Sequence, residues 1–212
     1  MPSSQFEKLP AATQERIVDA SLAEFAANGY DAASTNRIVA EAGISKGVLF
    51  KYFEDKAGLF LYVADAALHS YFEGLPDGPQ LNLTEWMRAT TAYKLRFLRE
   101  KPRAYQLFIR MMKDPAHPVY ARAIATQTAE LKEVGRTMTG WVADANLRPG
   151  VTLERLVSLL GWISAGLQDK ILAILPDVVD ENLEQAFDRV LEEFDVYFDM
   201  VRFGIYQEGE RS

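Results

Sequence analysis

The chain has 212 residues, 49% of them hydrophobic and 25% charged, with a net charge of −7. That balance suits one or two globular domains with a sizeable core and excludes a disordered chain. With no cysteine, disulfides, zinc–thiolate sites, iron–sulfur clusters and cysteine nucleophiles are excluded, and no apolar run reaches the roughly eighteen residues of a membrane span.

In chain order, the first predicted helix covers 10–28. Pro10 suits its first turn, Val18, Leu22 and Phe25 recur at helical spacing, and Asn28-Gly29 supplies a stop. Ser34 can cap a short helix over 35–42, with Ile38, Val39 and Ala42 inward and Gly43 at its end. Ser45 caps a third helix over 45–52, and a fourth runs from after Phe53-Glu54-Asp55 to 73. Longer helices are expected over 82–100, 102–113, 118–146, 152–175 and 180–207, separated by proline and glycine breaks. Period-2 runs and Asn-Gly hairpin signals are missing, so the chain reads as all-α.

Residues 34–53, STNRIVAEAGISKGVLFKYF, place two short helices about a turn at Ala42-Gly43-Ile44. A glycine suits that turn because a positive φ strains any residue with a Cβ. Ile44 and Leu49 can bury against Ile38 and the first helix, which leaves the outer face of the second short helix free to enter a DNA major groove.

The stretch AGISKGVLFKYFEDKAGLF, residues 42–60, resembles the DNA-binding domain of the TetR (tetracycline-repressor) family, and the likeness extends over residues 10–60. It implies an N-terminal three-helix helix-turn-helix domain over 1–55, a connecting helix beginning at 56–73, and a larger helical effector-binding and dimerisation domain over 74–212. It also implies DNA contacts from Ser34, Thr35, Asn36, Ser45, Lys46, Gly47, Phe50, Lys51, Tyr52 and Lys56. The chemistry suits those roles. Lysines reach phosphates or guanine acceptors, Asn36 can read adenine, and Ser45 opens a helix N-terminus towards phosphate. The plain alternatives are solvated surface lysines, an exposed Asn36 and a simple N-cap at Ser34. Phe50 departs from the family's usual tyrosine and cannot donate to phosphate, which puts that contact in doubt.

Charge limits the size of such a surface. Residues 1–60 hold six Lys and Arg against eight Asp and Glu, whereas 45–53 carries Lys46 and Lys51 with no acid. The contact must therefore be small and specific rather than a broad basic face.

In the body, Trp86, Tyr93, Phe97, Tyr105, Phe108, Met111 and Met112, with Trp162 further on, suit an apolar effector pocket, against the alternative of ordinary core packing. Leu160, Ile163, Leu167, Phe194, Phe198 and Val201 recur at helical spacing. They suit either an internal core or, as the family resemblance favours, a four-helix dimer interface. The expected function is a DNA-binding transcriptional regulator. It would be a repressor that binds a pseudo-palindromic double-stranded operator as a homodimer and is released by a small, largely apolar effector of unknown identity. The alternative is a ligand-binding or interaction module of the same fold that no longer binds DNA. No catalytic spacing surrounds His69 or His117, and no phosphate loop, metal helix or nucleophile elbow occurs, so no enzyme, metal or cofactor is expected. The opening MPSSQFEKLP lacks a signal-peptide pattern, and a soluble cytoplasmic protein without a membrane partner is expected.

Overall fold

The computed structural model describes residues 2–76, 83–127, 132, 136, 150–174 and 183–203. Its elements are α1 (Ser4–Glu7), α2 (Ala11–Ala32), α3 (Thr35–Ala42), α4 (Lys46–Phe53), α5 (Lys56–Glu73), α6 (Leu83–Glu100), α7 (Pro102–Lys113), α8 (Pro118–Thr126), α9 (Leu153–Ile174) and α10 (Leu183–Phe203). The fold is all-α, with no strand among the described residues. No described helix is long and apolar enough to cross a membrane.

Local chemistry sets most boundaries. Ser34, Ser45 and Asp55 each accept a hydrogen bond from the backbone N–H three residues on, capping α3, α4 and α5. Pro102 and Pro118 open α7 and α8, where a missing N–H costs nothing. The helix expected over 118–146 is seen as α8 up to Thr126, and almost all of its remainder lies outside the described residues.

The chain forms two compact units, residues 1–75 with 96–132 and residues 76–95 with 133–212. In the first, α2 packs against α3, α5 and α7, while α5 also meets α4 and α8. Its core joins Ile17 and Phe25 of α2 to Leu49 and Phe53 of α4, Leu59, Phe60 and Leu68 of α5 and Leu107 of α7, all nearly or fully buried. Phe25 meets Phe60 edge-on at 5.0 Å, and Tyr71 stacks on Phe108 at 4.1 Å.

The first long helix differs from its expected end at residue 28. Gly29 breaks the helical geometry (φ 69°, ψ −177°), but the chain re-enters helix and continues to Ala32. A break leaves carbonyls without intrahelical donors. Arg110 of α7 supplies them, with Nε 2.7 Å from the Ala26 oxygen and Nη2 2.5 Å from that of Ala27. The Tyr30 N–H donates to the Tyr120 hydroxyl at 2.9 Å, and His117 Nε2 lies 3.4 Å from Asp31. The helix is thus held before the break by α7 and after it by α8 and its cap.

In the second unit, α9 packs on α10. Leu156, Leu160 and Leu167 of α9 and Val190, Phe194 and Phe198 of α10 are buried within this single chain, as are Trp86, Met87, Tyr93 and Leu95 of α6. Arg88 pairs with Asp195 (2.9 Å), and Lys170 pairs with Glu193.

Gly29 adopts a backbone that essentially only glycine tolerates, and a Cβ there would stand 3.1 Å from the Tyr120 hydroxyl. Gly29→Ala is expected to lower unfolding free energy by about 1–3 kcal/mol, measured by urea denaturation. An unchanged midpoint would show that the break is not needed.

Candidate nucleic-acid interface

The helix-turn-helix is built as its residues dictate. Gly43 takes the left-handed conformation (φ 66°, ψ 35°), and its N–H and that of Ile44 close the turn on the carbonyls of Ala40 and Val39. Ile38, Ala42, Leu49 and Phe53 are buried and fix how α3 and α4 lie. The opposite face of α4 is thereby turned outward.

Ser45, Lys46, Gly47 and Lys51 are exposed on that face, with Asn36 exposed on α3. Phe50 and Tyr52 are half-buried. Neither Lys46 nor Lys51 has a carboxylate partner among the described residues. The Lys46 ammonium lies 5.9 Å from the Phe50 ring centre, so the phenylalanine serves as a platform for a lysine. The Ser45 hydroxyl takes the Val48 N–H and Leu49 N–H bonds the Ser45 carbonyl, leaving the amides of Lys46 and Gly47 free for an outside acceptor. A Cβ at Gly47 would meet nothing within 4 Å. Packing inside the protein therefore does not ask for glycine there.

Other expected contacts have work inside the protein. Ser34 and Thr35 are half-buried, and Ser34 caps α3. The Lys56 ammonium donates to the Asp31 carbonyl at 3.1 Å and sits 4.9 Å from the Tyr30 ring centre, which joins the start of α5 to the end of α2.

Several positioning residues escape the sequence pattern. Phe6 of α1 is completely buried against the rings of Tyr52, Phe53 and Tyr62, and the Ser3 N–H donates to the Tyr52 carbonyl at 2.8 Å. The segment preceding the first long helix thus backs α4. An isolated aromatic in SSQFEKLP was its only signal. Gly58 permits α5 to approach α4, because a Cβ there would fall 2.3 Å from the Phe53 carbonyl oxygen. Glu24 of α2 takes the Ser34 N–H at 2.7 Å and the Arg37 guanidinium at 2.9 and 3.1 Å. It ties α2 to the opening turn of α3 and occupies Arg37. The Arg37 hydrogen bond, against the opposing effect of burial, holds the Glu24 carboxyl below the usual carboxylate range.

The expected pocket residues divide between the units. Trp86 and Tyr93 are buried in the second; Phe97, Tyr105, Phe108 and Met111 are buried in the first, with Met112 half-buried there. Burial pushes the Tyr105 hydroxyl up to about 12, so it stays neutral. Trp162 is 74% exposed. Of these residues, only Trp86 borders the cavity of about 200 Å³ in the second unit, together with Met87, Thr90, Thr91, Lys94, Leu160, Gly161 and Ser164. Among the expected interface residues, Leu160, Leu167, Phe194 and Phe198 are buried in the chain's own core and Ile163 and Val201 are half-buried. The apolar side chains left outside on α9 and α10 are Leu159, Trp162, Val196, Tyr197, Met200 and Phe203.

Comparison with known proteins agrees with this geometry. Residues 17–63 match the family described as bacterial regulatory proteins, tetR family. The HTH-type transcriptional repressor SCO4008 of Streptomyces coelicolor is 36% identical over 70 residues, which are 33% of this chain and 36% of that protein. The match thus spans about a third of the curated relative's length. Among solved structures, a TetR family transcriptional regulator from Chloroflexus aurantiacus superposes with a TM-score of 0.65 at 22% identity, over 95% of this chain and 91% of the other. FadR of Bacillus subtilis, crystallised with stearoyl-CoA, gives 0.61 at 15% identity, over 91% of this chain and 99% of the other. At these identities the likeness is one of fold. The resemblance read from residues 42–60 is matched by these comparisons: residues 17–63 carry a tetR-family DNA-binding domain, and the chain shares the fold of TetR-family regulators.

Because the folded Glu24 carboxyl titrates below its unfolded value, its stabilisation is complete above the ordinary glutamate pKa and lost as pH falls through the folded one. Glu24→Gln is expected to lower the urea midpoint at pH 7, and the gap from wild type should close below about pH 4.3. A gap unchanged down to pH 3 would show that the carboxylate charge plays no part.

Proposed function

We propose that this TetR-family regulator represses transcription by binding a pseudo-palindromic DNA operator as a homodimer, and that a small, largely apolar effector releases it. The observation that carries the DNA-binding reading is the outer face of α4. It presents two lysines without acidic partners, two free first-turn amides, and a glycine that nothing inside the protein requires. Glycine costs helix stability by about 1 kcal/mol relative to alanine, so its place at Gly47 is explained by close approach of something outside the chain. A phosphate backbone beside a major groove has the matching charge and shape. Ser45, Lys46, Gly47, Lys51 and Tyr52 of α4 and its cap, with Asn36 of α3, are the contacts we assign first. Phe50 acts by supporting Lys46, and Ser34, Thr35 and Lys56 by fixing the helices.

The dimer reading is supported by the outer faces of α9 and α10. Trp162 at 74% and Phe203 at 61% exposure, with Val196 and Met200, are large apolar groups that a second copy would cover in an isologous interface. Two recognition helices related by a two-fold axis, about 34–36 Å apart, would read successive half-sites. An effector regulates such a dimer only by binding its DNA-competent and released arrangements with different affinity. We place it in the second unit's cavity. The stearoyl-CoA bound to FadR is a precedent for a ligand in a protein of this fold. The runner-up is a module of this fold without DNA affinity, favoured by the absence of a basic excess over residues 1–60.

The purified protein is expected to bind DNA from upstream of its own coding region, or a site recovered by random-sequence selection, with affinity falling steeply in salt. Lys46→Ala/Lys51→Ala should abolish specific binding and reduce the salt slope by about one per lost phosphate contact. Gly47→Ala should hold or raise thermal stability while weakening DNA binding at least tenfold. No binding in either assay would hand the reading to the module without DNA affinity. Sedimentation should show a dimer that Trp162→Arg/Met200→Lys converts to monomer; a wild-type monomer would remove the two-fold scheme.

A further inference from the structure

Residues Trp86, Met87, Thr90, Thr91 and Lys94 form one stripe of α6, facing Leu160, Gly161 and Ser164 of α9 across the cavity of about 200 Å³. At about 30 Å³ per water, that space corresponds to roughly seven waters, enough for a small organic molecule. Most of the lining is apolar or small, and two of its polar groups stand out. The Thr90 hydroxyl is buried with no hydrogen-bond partner. Its neighbour Thr91 differs, since its hydroxyl bonds the Met87 carbonyl within the helix at 2.9 Å. Lys94, one turn beyond Thr90, is half-buried as a residue, yet burial of its ammonium lowers its pKa, and no carboxylate acts to offset this. Within this unit Asp195 pairs with Arg88 and Glu193 with Lys170. A buried hydroxyl without a partner is costly, and beside the partly desolvated Lys94 ammonium on the same cavity wall it marks a place where a ligand supplies what the chain does not.

We infer that this cavity takes a small monocarboxylic acid, its carboxylate bound between the Lys94 ammonium and the Thr90 hydroxyl and its hydrocarbon part against Trp86, Met87 and Leu160. The inference rests on the effector reading above and adds the chemical class of that effector. One cation and one hydroxyl match the two oxygens of a single carboxylate. Among the described residues the lining contains no arginine, and so no forked donor of the kind suited to phosphate. An acid with a six- to eight-carbon chain or one aromatic ring has the right polarity and a suitable size.

The test is calorimetric titration of the full chain with hexanoate, octanoate and benzoate, each beside its neutral amide. At least one acid should bind saturably and at least tenfold more tightly than its amide. Lys94→Met should erase that preference while leaving the amide's affinity unchanged, Lys94→Arg should keep part of it, and Thr90→Val should weaken the acid several-fold. Without ligand, Lys94→Met should raise the melting temperature, because an apolar side chain replaces a partly desolvated amine. The inference is overturned if no acid binds, if acid and amide bind alike, or if Lys94→Met keeps the preference. Operator binding is measured on the same preparations. Intact DNA binding with no acid binding removes this inference alone, whereas loss of DNA binding removes the regulator reading whatever the acids do.

Discussion

The Arg110 guanidinium on the carbonyls of Ala26 and Ala27 is the contact on which the first unit turns. A helix broken in mid-course exposes acceptors that water or a donor must satisfy, and a charged donor from a packed neighbour is the strongest solution. By holding the break at Gly29, Arg110 sets where Tyr30 and Asp31 emerge. Those two residues then receive the Tyr120 hydroxyl, the His117 ring and the Lys56 ammonium. The end of α2, the start of α5 and the α7–α8 pair are fixed by one small region of polar contacts beside the aromatic core of Phe25 and Phe60.

From that frame follows the division of labour around the turn at Gly43. Residues that sequence patterning groups together as one DNA-facing set separate by what they already touch. Ser34 and Lys56 have partners in the chain, and Glu24 holds Arg37. Among the described residues Lys46 and Lys51 have no acidic partner, and nothing stands within 4 Å of where a Cβ on Gly47 would lie. Buried Phe6 and the close approach at Gly58 support α4 from behind, so its outer face is rigidly presented. The two lysines of α4 stand in a stretch without acids although the chain as a whole is acidic.

In the second unit the same reasoning runs in reverse. The leucine and phenylalanine periodicity of α9 and α10 is spent on the chain's own core, and the unspent apolar groups are those one step around each helix, Trp162 and Val196 among them. Periodicity identifies an apolar stripe but not its partner, because the burial of a leucine is equally favourable within a chain or between chains. Polar residues were the better guide to the cavity. Thr90 and Lys94 carry no hydrophobic pattern, yet they are the side chains whose chemistry the folded unit leaves unanswered.

The sequence by itself determined the all-α class, the boundaries of α3, α4 and α5 to within a residue, and the helix-turn-helix. These follow from short-range rules of caps, glycine turns and helical periodicity, which need no distant partner. It also carried the likeness to the tetR-family DNA-binding domain, through a motif of fixed spacing over residues 42–60. Tertiary structure decided that α2 continues past Gly29, because Arg110 and Tyr120, more than eighty positions away, make the break tolerable. It decided that α7 belongs to the core of the first unit, that Phe6 backs α4, and which face of α9 stays outside. Each of these depends on contacts between residues remote in the chain, and a sequence pattern records only that a side chain wants burial or a partner, not which partner it finds.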